Sequence, residues 1–377
     1  MRRSCSSVLW FFVFAYVITG AGMCVNFYAL RPLPGATEIS SQTMPWLPYA
    51  PYVLWVGPCF SALLMTLYLY GLPGVRRLVL RLAPWSVGGA WLVLVVCLLP
   101  QLDLEGLASL FGLQQPVGGV ASIADLVFLA SLVGLLIVLA LRGPAGIRRL
   151  ASRLRPWLLG QGWPVLAVCL LLPLGVAVLP VKILAALGHA VPALQREGWE
   201  DYLYTAVIGG GFLGPGLFEE IGWRGFALPH LQRRYSALVS SLILGLVWSF
   251  WHFPNFFFFT PTMLAVFVPM GIVMSVIYTW VYNSTGGSLF AVVVLHGATI
   301  APGKLFAGGD AGGSLPRGVI TGLLYVVIAV WLVWRYGAAN LSWRDRVMAE
   351  PPNQALHLTG AASALSEGHR HWGGPGR

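Results

Sequence analysis

Apolar runs of about 20 residues, the length an α-helix needs to cross a bilayer's hydrocarbon core, recur along most of this chain. They fall near residues 8–30, 52–72, 85–101, 120–141, 163–187, 203–223, 236–253, 262–282, 287–301 and 317–336. Of the 377 residues, 57% are hydrophobic and 10% charged, against about 25% charged in an ordinary soluble domain. The expected fold is therefore all-α: a polytopic transmembrane bundle of about ten helices. The first run follows Arg2 and Arg3 but is longer than the roughly 7–15 residues of a signal-peptide core, so it is read as a mature helix.

The net charge of +10 does not point to nucleic acid, because the basic residues are distributed by loop. Arg2 and Arg3; Arg76, Arg77 and Arg81; Arg142, Arg148, Arg149, Arg153 and Arg155; Arg233 and Arg234; and Arg335, Arg344 and Arg346 fall on alternate connections. The positive-inside rule places those connections, and both termini, in the cytoplasm. Cys5, Cys24, Cys59, Cys97 and Cys169 are scattered and suggest neither a disulfide framework nor a zinc knuckle. The organisation expected is N-terminal helices over 1–200, a catalytic core over 201–340 and a polar, disordered tail over 341–377, where His357, His369 and His371 lie. No internal repeat is evident, which weighs against a transporter.

Charge is sparse, yet LFEEIGWRG at 217–225 holds Glu219, Glu220 and Arg224 together at the end of an apolar span. An acid at membrane depth is a functional candidate by default. Glu220 and Arg224 stand four apart in the acid-first order that pairs on a helix. Glu219, about 100° away, is left to face a cavity, where desolvation makes it a candidate general base. The bland alternative is a cytoplasmic cap with all three side chains snorkelling to headgroups. Against it stands GGGFLGPG at 209–216, since such breaks are tolerated where backbone lines a cavity or is buried in protein. His252, in WSFWHFPN, and His296, in AVVVLHGATI, follow on later spans. A Glu with imidazoles can polarise water directly or on a metal. His189 and His230 read as interfacial.

EEIGWRG, WSFWH and the later LH together resemble the CAAX protease and bacteriocin-processing family of intramembrane peptidases. Its pattern is EExxxR, then FxxxH, then His followed four residues later by Asn. Glu219, Glu220 and Arg224 fit the first motif, His252 the second with Trp248 in place of Phe, and His296 the third, over residues 203–301. The resemblance implies a membrane-embedded endopeptidase acting on a membrane-associated peptide or protein, with Glu219 and His252 activating water and His296 stabilising the carbonyl oxygen. Zinc fits a Glu219, His252 and His296 ligand set; a hydrogen-bonded Glu219–His252 pair needs no metal. The Asn position is Ile300, which donates no hydrogen bond; Thr299 and Asn283 are the substitutes to consider. Because a lost oxyanion donor lowers rates by about 10²–10³, a catalytically impaired scaffold or immunity factor is one alternative, and a proton- or cation-coupled transporter another.

Straight helices set Glu219 about 7 Å inside Arg224 and His252 about 27 Å beyond Arg234. The two meet only if residues 225–236 stay within the protein as a helical hairpin, or if the glycine-broken span sits deeper than its length suggests. Gly225 and Pro229 permit such a bend.

Overall fold

The computed structural model describes residues 2–29, 50–82, 162–193, 198–253, 260–306 and 315–350. The expected spans at 85–101 and 120–141, the basic loop from Arg142 to Arg155, and residues 351–377 lie outside them. The described chain is all-helical, and four of its helices are long and apolar enough to cross a membrane: Val56–Leu80, Trp163–Ala186, Leu264–Ser284 and Pro316–Tyr336. It forms two compact units, one from residues 1–83, 217–289 and 322–377, the other from 84–216 and 290–321.

In the first unit, small residues let helices approach closely, as is common where hydrocarbon surrounds a bundle. Helix α1 (Arg2–Ala29) meets α2 (Ala50–Leu80) at Gly57, where an added Cβ would stand 2.7 Å from the Ala15 carbonyl oxygen. Helix α2 kinks at Gly71 (φ 61°), two residues before Pro73, and carries Arg76 and Arg77 past the kink, with Arg81 in the turn that follows it. The glutamate motif opens on α5 (Pro215–Glu220), continues through a π-helical segment (Ile221–Ala227) and ends on α6 (Leu228–Gln232). A turn at 233–236 reverses the chain into α7 (Ala237–Trp251), whose first turn is capped by Ser236 Oγ accepting from Val239 N. The Ala237 and Leu238 amides donate to the Ala339 and Ala338 carbonyls, so the helix-start donors have partners. Helix α7 crosses α8 (Pro261–Ser284) at Gly245, where a Cβ would lie 2.7 Å from Ile272 Cα.

The chain after α10 (Leu315–Tyr336) is folded up to Glu350. Gly337, at φ 75°, ends α10 in the left-handed region that glycine adopts freely. Asn283 then ties three segments together: Nδ2 donates to Gln232 Oε1 and the Asn340 carbonyl, and Oδ1 accepts from Gln232 Nε2 and Val347 N.

The second unit contains α3 (Gly162–Ala186), α4 (Gly198–Tyr204) with its π-helical continuation Thr205–Phe212, and α9 (Leu289–Ile300) from Phe290 onward. Val181, Tyr202, Ala206, Ala298, Ala301, Leu305 and Phe306 form its core. The glycines of 209–216 lie here, and packing accounts for two of them. Gly210 and Gly211 press against α9, and a Cβ on Gly297 would overlap the Ala206 carbonyl oxygen and stand 2.6 Å from Gly211 N. Gly297→Ala should therefore lower stability by about 1–3 kcal/mol through overpacking. Gly318→Ala, with nothing within 4 Å, should lose none. Thermal unfolding of both variants in detergent checks the contrast.

Candidate active site

Glu219, Glu220 and Arg224 are buried at 2%, 0% and 0% exposure, which overturns the snorkelling alternative. Arg224 NH1 donates to Glu220 Oε1 at 2.8 Å, within the first unit. The guanidinium carbon also lies 4.8 Å from the Trp248 ring centroid and 4.5 Å from that of Tyr278. Arg224 is thus held by one carboxylate and two aromatic faces, a setting that suits its weakly hydrated, delocalised charge. Nε and NH2 meet no acceptor among the described residues.

Glu219 is not left facing an open cavity. Its Oε2 accepts from Trp248 Nε1 at 2.6 Å, in buried surroundings. One turn further along α7, His252 Nδ1 lies 2.8 Å from the Trp248 carbonyl oxygen. A carbonyl only accepts, so Nδ1 carries the proton, and in the neutral ring Nε2 is the acceptor. Trp248, Trp251 and Phe267 surround the imidazole with ring centroids 5.6, 5.0 and 5.2 Å away. The Trp248 indole therefore ties Glu219 to the helical segment that carries His252, whose own bond to Trp248 is local, four residues back along the chain.

The hairpin makes this tie possible. From Glu219 to Gln232 the helical path is about 20 Å, and from Ala237 to Trp248 about 17 Å back. Residues 221–232 are buried throughout, so the chain turns at 233–236 and not at Arg224. Gly222 permits the close fit, since a Cβ there would lie 2.5 Å from Pro58 Cβ. The π-helical segments at Thr205–Phe212 and Ile221–Ala227 lie on either side of the break at 213–214; π turns recur at functional sites.

His296 lies on α9 in the second unit, 5% exposed. Of the residues weighed in place of the missing Asn, Thr299 donates to the His296 carbonyl at 2.7 Å. Both donors and both lone pairs of Asn283 are used at its three-segment junction, so Asn283 is no oxyanion donor. Ile300 is 45% exposed. His230, expected at the interface, is buried at 6% exposure and packed on Phe226 with centroids 4.2 Å apart. Burial, together with Arg233 and Arg81 and opposed by its bond to the Phe226 carbonyl, pushes its pKa down to about 4.

Trp248 is the residue that sequence reasoning passed over, noting it only as a departure from Phe. The signal was chemical: indole brings a donor that phenyl lacks. Trp248→Phe should lose about 1.5–3 kcal/mol, the range for a hydrogen bond to a charged group, measured by thermal unfolding. An unchanged midpoint would show that the bond contributes nothing.

Residues 202–301, the stretch carrying all three motifs, match the family described as type II CAAX prenyl endopeptidase Rce1-like. That segment is thus similar to the CAAX protease and bacteriocin-processing family its motifs resemble, and the four membrane-length apolar helices accord with a membrane protein. A curated relative, CAAX prenyl protease 2 of Methanococcus maripaludis, is 33% identical over 93 residues, which cover 21% of this chain and 33% of the relative. The chain thus matches about a third of that relative's length.

Proposed function

We propose that this protein is an intramembrane endopeptidase that hydrolyses a peptide bond in a membrane-associated peptide or protein. The observation that carries the reading is the buried Glu219–Trp248 hydrogen bond, which ties the glutamate motif to the helical segment that carries His252, within a segment that matches an endopeptidase family. Glu219 acts as general base: its carboxylate takes a proton from water as the oxygen adds to the scissile carbonyl carbon, and the proton passes to the leaving amine as the C–N bond breaks. His252 orders the same water through Nε2. His296 takes the part the third motif implies, stabilising the carbonyl oxygen, and Glu220 with Arg224 fixes the helix that carries Glu219. Among the described residues no three His, Cys, Asp or Glu side chains form a ligand group, so no step is routed through a metal.

The name of the relative makes peptides ending in a prenylated cysteine motif the first substrate class to try. Purified protein in liposomes should release the C-terminal fragment of such a peptide, read by mass spectrometry. Failure to cleave both prenylated and unprenylated membrane-anchored peptides would favour a catalytically impaired relative, the reading that Ile300 supports.

A further inference from the structure

The first unit also has a small open cleft, of about 60 Å³, between the basic end of α2 and the helical segment from Gly225 to His230. It is lined by Tyr70, Gly74, Arg77 and Leu78 of α2 and by Arg81 just past its end, spaced as one helical face. Arg77 pairs with the Glu350 carboxylate at 3.5 Å, with side chains 39% and 52% exposed. Arg81 NH1 donates to Tyr282 Oη at 3.0 Å and to the Gly225 carbonyl at 3.4 Å. Tyr70 Oη lies 2.9 Å from His230 Nε2 and 3.0 Å from the Glu350 carbonyl. His230 Nδ1 is committed to the Phe226 carbonyl, so in the neutral ring both of these are acceptors, and the single Tyr70 proton serves one at a time.

The chemistry of the cleft is that of an anion site. Two guanidinium groups line it, while His230, with Nδ1 committed and Nε2 an acceptor, adds no donor. The chain's own carboxylate already sits against one of the cations. That resident pair is weakly held, because exposed ion pairs contribute about 0–1 kcal/mol. The cleft also lies at one end of a membrane-length helix, Val56–Leu80. On that helix Leu64, Leu67, Leu72, Val79 and Leu80 present apolar side chains outward, at 46–74% exposure. A basic pocket at the end of a span, with apolar surface beside it, suits a headgroup whose acyl chains remain in the bilayer.

We propose that this cleft binds the phosphate of an anionic phospholipid headgroup through Arg77 and Arg81, with Glu350 as a built-in competitor for the same position. Arg81 also holds the Gly225 carbonyl, one residue past Arg224, so an occupied cleft braces the segment that carries the buried ion pair.

The test uses the full chain in zwitterionic detergent micelles, titrated with short-chain phosphatidylglycerol and followed by native mass spectrometry. Phosphatidylcholine and inorganic phosphate form separate arms. Phosphatidylglycerol should bind in preference to phosphatidylcholine. Arg77→Gln should weaken it about fivefold, the contribution of one basic residue near a membrane surface, and Glu350→Gln should tighten it. Opposite signs from two exposed side chains cannot come from misfolding. Equal affinity in the wild type and both variants would overturn the proposal. Displacement by inorganic phosphate at the concentration at which the lipid binds would overturn the assignment to a lipid.

Discussion

Glu219→Gln is expected to lower the rate of peptide hydrolysis by about 10²–10⁴, the usual contribution of a positioned general base, while leaving the fold intact. The amide keeps the shape of the carboxylate, and its oxygen can still accept from the Trp248 indole N–H that meets Oε2. Capacity to accept a proton from water is what disappears. The measurement is the initial rate of cleavage of a membrane-anchored peptide in proteoliposomes, with thermal unfolding alongside. A variant that unfolds normally and cleaves at the wild-type rate would remove Glu219 from the mechanism. Assayed at a temperature where Glu219→Gln and Trp248→Phe are both folded, the two variants divide the site further: the first lacks the base, the second keeps it but loses its fixed orientation. Trp248→Phe should therefore retain more activity.

Much of this architecture was legible before any coordinates. The apolar runs among the described residues became helices because a chain with so few charges has little else to offer a bilayer. The Glu220–Arg224 pair was legible for a local reason: a spacing of four puts both groups on one helical face, and the pair forms at 2.8 Å. Depth was harder to read. Arg224 looked like the cytoplasmic end of its span, and only the burial of residues 221–232 moves the true turn to 233–236 and lets α7 return Trp248 to the level of Glu219. Sequence permitted that hairpin without selecting it, because Gly225 and Pro229 allow a bend and do not force one.

The glycines carry the complementary lesson. A glycine-broken span left two readings open, backbone lining a cavity or backbone buried in protein, and Gly210, Gly211 and Gly297 bring two backbones of the second unit into direct contact, as the second requires. Both uses demand the absence of a Cβ, so composition does not separate them. The bond from Trp248 to Glu219 was out of reach for another reason. It joins residues on separate helices, and no pattern local to either one encodes their register.

Arg224→Met is expected to cost about 3–5 kcal/mol of stability, the range for breaking a buried ion pair by removing one partner. Arg224 and Glu220 are both fully buried, so the carboxylate left behind has no water to replace its counter-charge. The cation also fills the space between Trp248 and Tyr278, and methionine replaces its bulk but not its attraction to the two rings. Adding Glu220→Gln should bring the protein back toward wild type, because the double variant removes the carboxylate that faced the guanidinium, whereas Arg224→Met alone leaves it buried without its counter-charge. Thermal unfolding of the two single variants and the double in one detergent closes the cycle. Strictly additive losses would mean that the pair acts as two independent side chains and that Arg224 is held chiefly by its aromatic neighbours. Recovery in the double variant, with catalysis still absent, would instead assign the pair to placing Glu219 on its helix.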